Sequence, residues 1–182
     1  NGAGRIGVNT LRAWLQNPAW LPHSDSGLEI VAINDVAFNF KKNGLKGLDN
    51  YIWLLKNEFA TAPRSRVQGA TFERGEKNGR YWISIEANAQ SPDGVGIMRY
   101  YHAIRVTDEP DPTKLPWGKE NVDVVLEATG RFANPEGAAK HLQAGARHVV
   151  VTAPAGDLPT VAPGVSVLSL DDMEGGLGSC AS

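Results

Sequence analysis

Gly2, Gly4 and Gly7 stand in the pattern G-x-G-x-x-G within the run Asn1-Gly-Ala-Gly-Arg-Ile-Gly7. The chemistry this spacing serves is anion binding by backbone. The first glycine permits a tight turn, the second lets the main chain approach a pyrophosphate, and the third lets a helix pack closely on a strand. A helix opening behind the loop supplies N–H groups and the positive end of its dipole, so no charged side chain is required. Three glycines in seven residues also occur in ordinary turns, and the loop alone does not decide between the two. A second element is Asp35, at the end of the run Leu28 to Ile33 followed by Asn34. A carboxylate at the tip of the second strand can accept both hydroxyls of an adenosine ribose, and it disfavours a 2′-phosphate. It lies 28 residues after Gly7, against the usual separation of about 20, and the turn-rich connector Pro22 to Gly27 accounts for the excess. Taken by itself, Asp35 also fits a turn residue ending a strand.

The elements that must position these residues follow from periodicity. Arg5 to Leu15 places Val8, Leu11 and Leu15 at helical spacing, giving the helix behind the glycines an apolar face, with Asn17 and Pro18 as its end. Leu28 to Ile33 reads as a strand, and Leu45 to Glu58 as a second helix. Between Ala62 and Thr107 the pattern becomes strand-like: Tyr81 to Glu86 alternates and Ile97 to Val106 follows a turn-rich stretch, as in an antiparallel hairpin inserted in an α/β unit. Val122 to Glu127 is an apolar strand ending in Ala128-Thr129-Gly130, small residues that leave room for a ligand. Asn134 is an N-cap with Pro135 at the first helical position, and Gly145 closes that helix. His148 to Thr152 and Val165 to Leu170 are further strands. This alternation predicts an α/β fold: a doubly wound, mostly parallel sheet of Rossmann type carrying the inserted hairpin.

Composition limits the partners. With 182 residues, 42% apolar content and a net charge of -2, the chain can bury a sizeable core and has no polybasic run, which argues against nucleic acid or an anionic membrane surface as partner. The basic and aromatic residues of the hairpin, Arg74, Arg80, Arg99 and Tyr101 among them, are interleaved with acids and fit a solvated face. No apolar run reaches membrane-spanning length. A single cysteine, Cys180, excludes an internal disulfide and fits a reducing compartment such as the cytoplasm, with a plastid or other organelle left open.

With these residues in view the chain resembles a known family. Asn1 to Gly7, Val31-Ala-Ile-Asn-Asp35, Leu115-Pro-Trp-Gly118, Val122 to Gly130, His141 to Ala146 and Thr152-Ala-Pro-Ala155 occur in the order found in glyceraldehyde-3-phosphate dehydrogenase. The resemblance is to the nucleotide-binding half of that enzyme, covers most of residues 1 to 165, and weakens over Arg64 to Tyr101, where this chain is longer. It implies a homotetrameric glycolytic oxidoreductase that oxidises glyceraldehyde 3-phosphate with NAD and inorganic phosphate. On it, residues 1–179 correspond to the NAD-binding domain without its first strand, and residues 180–182 to the start of the catalytic domain. Carried over position by position, Gly2, Gly4, Arg5 and Ile6 line the pyrophosphate and Asn34 and Asp35 hold the adenosine ribose. Thr129, Gly130 and Phe132 line the adenine and nicotinamide side, with Thr152 near the nicotinamide ribose. An arginine that the family places beside the adenine has Pro110 near its position here.

The resemblance also makes Cys180 the nucleophile: its thiolate would add to the aldehyde and carry the acyl group as a thioester until phosphate cleaves it. The sequence departs from the family around it, with Gly175 to Gly178 in place of an apolar strand and Ala181-Ser182 in place of two threonines and an asparagine. None of His23, His102, His141 and His148 matches the family's general base, and His141 and His148 read as structural. The base and the phosphate-binding groups follow the nucleophile in the family. The stretch Asn1 to Ser182 is therefore expected to bind dinucleotide without turning over, and a nucleotide-binding or interaction module without catalysis stands as the alternative. No metal site is expected.

Overall fold

A computed structural model describes residues 1–16, 27–60, 67–90, 95–156, 158, 160–162 and 165–169. The chain divides into two compact units, one of Asn1–Ile6 with Glu109–Ser182 and one of Gly7–Asp108.

Helix α1 (Arg5–Gln16), whose residues from Gly7 onward belong to the second unit, buries Val8, Leu11 and Leu15, the apolar stripe expected from its period, together with Trp14. Trp14 donates its indole N–H to the Leu28 carbonyl at 2.6 Å and packs edge-on against Tyr100 at 5.7 Å. Strand β1 is only Ala32–Asn34, shorter than the expected Leu28 to Ile33, because its one ladder partner meets it over three residues. Leu28, 55% exposed, lies outside any ladder. The expected helix from Leu45 to Glu58 is instead a short helix α2 (Phe40–Asn43), a 3₁₀ turn over Gly44–Leu48, and helix α3 (Asp49–Ala60). Gly44, at φ 52°, ends α2 and resets the chain direction.

Strands β2 (Val67–Lys77), β3 (Arg80–Gln90) and β4 (Ile97–Thr107) are each 11 residues long, so the expected hairpin is a three-stranded antiparallel meander. Asn78-Gly79 joins β2 to β3 with φ values of 55° and 73°, the positive pair that a type I′ turn demands and that matches strand twist. Alternation sets the faces: Ile83, Ile85 and Ala87 of β3 lie opposite Ile104, His102 and Tyr100 of β4, and all are buried. Phe40 stacks on Tyr81 at 3.8 Å. On the outer face Arg99 pairs with Glu86, whereas Arg74 of β2, in register with Ile83 and so on the same face as it, pairs with Asp49 at 2.6 Å. The sheet order is β1-β4-β3-β2, with β1 and β4 parallel.

In the first unit, β5 (Val124–Glu127), α4 (Pro135–Gln143) and β6 (His148–Val151) form a βαβ unit whose strands pair in parallel, Val124 opposite His148. Asn134 caps α4 by accepting from the Gly137 N–H at 2.6 Å, and Gly145 follows the helix at φ 102°. The cap makes a direct prediction. An Asn134→Ala variant should lose about 1 kcal/mol of stability, read by denaturant unfolding. Strands β7 (Thr160–Ala162) and β8 (Val165–Ser169) complete a sheet of order β5-β6-β8-β7.

The fold is thus α/β, but among the described residues the expected mostly parallel sheet is two four-stranded mixed sheets, in which two of the six strand pairings are parallel. The long meander accounts for two of the four antiparallel pairings. Among the described residues no helix is long and apolar enough to cross a membrane.

Candidate functional site

The chain start lies beside the carboxyl end of β5. The Asn1 amino group donates to the Leu126 carbonyl at 2.8 Å and the Ala128 N–H donates to the Asn1 carbonyl at 2.8 Å, two rungs of a parallel ladder that bracket Glu127. Gly2 then turns at φ 101° with its backbone pressed on the next segment: a Cβ there would stand 2.9 Å from the Ala128 carbonyl carbon and 3.0 Å from the Thr129 nitrogen. Gly4 is the opposite case. A Cβ at Gly4 would meet nothing within 4 Å, and Gly4, Arg5 and Ile6 are exposed at the opening of α1. Close contact at the first glycine and open space at the second is the arrangement that lets a pyrophosphate reach the backbone at a helix start. The residues present therefore fit a dinucleotide.

Glu127 holds this arrangement from below. Its side chain is fully buried, as is that of His141. One carboxylate oxygen accepts from the Thr129 N–H at 2.8 Å and from the Thr129 hydroxyl; the other accepts from the Asn1 side-chain amide and from Nε2 of His141 at 3.0 Å. Trp117 donates its indole N–H to Nδ1 of His141 at 3.0 Å, so the ring proton belongs on Nε2, aimed at Glu127. Burial pushes the pKa of this carboxyl up, but the hydrogen bonds from His141, Thr129 and Asn1 outweigh it and hold the pKa at about 2. Glu127 is therefore ionised at neutral pH, with donors on both oxygens.

Thr129 begins the exit from β5, and its hydroxyl accepts from the Arg131 N–H at 3.1 Å. Gly130 follows at φ 72° and is exposed. Phe132 stands edge-on to His141 at 6.2 Å, with the Lys140 ammonium 5.7 Å from its ring centre. Thr152, at the matching end of β6, donates its N–H to the Glu127 carbonyl at 3.0 Å and its hydroxyl to the same oxygen at 3.2 Å. Gly2, Thr129, Gly130 and Thr152 thus gather at the carboxyl ends of β5 and β6, with Gly4, Arg5 and Ile6 continuing along the loop.

Asn34 and Asp35 belong to the other unit, at the end of β1. Asn34 is buried and its side-chain oxygen accepts from the Thr107 hydroxyl at 2.9 Å. The Asp35 carboxylate accepts from the Ala37 N–H at 2.8 Å, capping a 3₁₀ turn, which is the strand-ending geometry its sequence position also allowed. Cys180, the candidate nucleophile, lies outside the described residues, as do Asn17 and Pro18 at the end of α1.

Sequence reasoning did not single out Glu127 or Trp117, and read His141 as structural without giving it a partner. A signal was present. An acid within an apolar strand run is almost never buried unless paired, so Glu127 at the end of Val122 to Glu127 demanded a partner. Among the described residues no cluster of metal-ligating side chains occurs.

No protein-family model matches the chain. It is 35% identical over 167 residues to glyceraldehyde-3-phosphate dehydrogenase A, chloroplastic, of Zea mays, an alignment covering 91% of this chain and 33% of that protein. It is 38% identical over 172 residues to glyceraldehyde-3-phosphate dehydrogenase of Kitasatospora aureofaciens, covering 94% and 40% respectively. With the protein of that name from Yarrowia lipolytica the identity is 34% over 167 residues, covering 92% and 38%. The chain spans 33% to 40% of the length of these curated relatives. Over more than nine-tenths of its own length, then, the chain is homologous to a part of glyceraldehyde-3-phosphate dehydrogenase.

Proposed function

We propose that the chain binds NAD as the nucleotide-holding part of a phosphorylating glyceraldehyde-3-phosphate dehydrogenase. The observation that carries this reading is the pairing of a pressed Gly2 with an open Gly4 at the start of α1, beside the end of β5. In this assignment Gly4, Arg5 and Ile6 receive the pyrophosphate, Asn34 and Asp35 the adenosine ribose, and Thr129, Gly130, Phe132 and Thr152 the rest of the cofactor. NAD, when bound, supplies the hydride acceptor. Cys180 supplies the nucleophile that adds to the aldehyde and holds the acyl group until inorganic phosphate releases it. Residues 1–179 act as the nucleotide domain and residues 180–182 begin the catalytic one, in a homotetramer working in the cytoplasm or an organelle.

The test is a titration of NAD and NADP against the folded chain. NAD is expected to bind about tenfold more tightly or better, because the Asp35 carboxylate repels a 2′-phosphate. An Asp35→Ala variant should narrow the gap. Equal affinity for the two, or a preference for NADP that survives the substitution, overturns the assignment.

A further inference from the structure

We propose that Glu127 is a positioning residue for the dinucleotide: oriented by His141 and Trp117, its carboxylate fixes Asn1–Gly4 against the end of β5 in the shape that receives a pyrophosphate. This deepens the NAD reading and rests on it. Every group aimed at the carboxylate donates: Asn1 and His141 to one oxygen, the Thr129 N–H and hydroxyl to the other. Three of these four groups belong to the segments whose close approach fixes the glycine turn, since Asn1 precedes Gly2 and the Thr129 nitrogen lies 3.0 Å from where a Gly2 Cβ would stand. Only a side chain with acceptors on both arms satisfies the set. A glutamine of equal size would point an NH₂ at donors on one side. His141 cannot turn acceptor at Nε2 without placing a proton on Nδ1, where the Trp117 N–H already points. Trp117 and His141 thus pass a fixed direction from α4 and the preceding loop to the carboxylate, and the carboxylate passes it to the chain start.

The test compares ligands with and without a pyrophosphate. Isotope-edited NMR of the full chain is titrated with NAD, ADP-ribose and adenosine, for wild type and for Glu127→Gln. The proposal expects NAD and ADP-ribose to weaken about tenfold or more, with adenosine held within about twofold. It also expects the ¹⁵N spectrum of wild-type His141 to show the proton on Nε2. Equal weakening of all three ligands would mark Glu127 as a general structural residue and overturn the proposal, and so would unchanged NAD affinity. Should Glu127→Gln fail to fold, Asn1→Ala decides: it removes one donor from the half-buried loop side and should show the same selectivity with a smaller fold-change. If wild type binds adenosine but neither NAD nor ADP-ribose, it is the dinucleotide reading itself that fails, and the proposal with it.

Discussion

The Glu127→Ala variant is expected to lose about 3 kcal/mol or more of unfolding free energy, since each buried donor left without its acceptor costs about 1–3 kcal/mol. The reason is what remains behind. The His141 Nε2–H is fully buried, and the Thr129 N–H and the Asn1 amide face the same vacated space. A denaturant titration at neutral pH measures the loss. Proton linkage gives an independent check. With the carboxyl held at about 2 in the fold against an ordinary value of 4.5, the unfolded chain takes up the proton first as pH falls. The stabilisation from Glu127 is therefore complete above pH 4.5 and lost on the way down to about pH 2, a change of about 3 kcal/mol. The variant lacks this acid limb. If wild type and variant lose stability in parallel between those two pH values, the ionised, hydrogen-bonded state assigned to Glu127 is wrong.

The second large effect is at Gly2, and its meaning comes from contrast with Gly4. Gly2→Ala forces a side chain into φ 101° and places a methyl 2.9 Å from the Ala128 carbonyl carbon, which is backbone and cannot swing away. The unfavourable φ costs about 1–2 kcal/mol and the overpacking about 1–3 kcal/mol more. NAD affinity should fall with the displaced loop. Gly4→Ala puts its methyl in open space and should change stability by less than about 0.5 kcal/mol, yet weaken NAD, because that space is where the ligand approaches the backbone. Thermal unfolding and NAD titration of the two variants separate the roles. A Gly4→Ala variant that binds NAD as wild type does would remove the pyrophosphate from this loop.

What could be read from the sequence was what depends on neighbours along the chain. The stripe of Val8, Leu11 and Leu15, the Asn134 cap and the strands expected over Val122 to Glu127 and His148 to Thr152, found as Val124–Glu127 and His148–Val151, all follow from local period and local hydrogen bonding. What could not be read depends on partners far away in sequence. Leu28 to Ile33 has the composition of a buried strand, but β4 meets only Ala32–Asn34, and no local pattern encodes that. The apolar recurrence from Leu45 to Glu58 is real, yet Leu45 to Leu48 spend it in a 3₁₀ turn before α3 begins. Of the site, the glycines and the end of β5 were visible because each has a stereochemical reason for its residue type. The Glu127, His141 and Trp117 chain was not, since its members lie 10, 14 and 24 residues apart and meet only after α4 has folded back.

Strand β2 closes one side of its sheet, so among the described residues of its own unit no strand pairs with it along that side. An 11-residue ladder of that kind is a template for another polypeptide, and the hazard is greatest while chains are folding in company. Glu73, Arg74, Glu76 and Lys77 are exposed there, and Arg74 is tied back to Asp49 and to the Leu45 carbonyl. A second chain that approached this rim would have to strip water from those ions and break that tether, gaining few apolar contacts in return. The enlarged meander is thereby guarded against fibrous self-assembly by its own outermost strand.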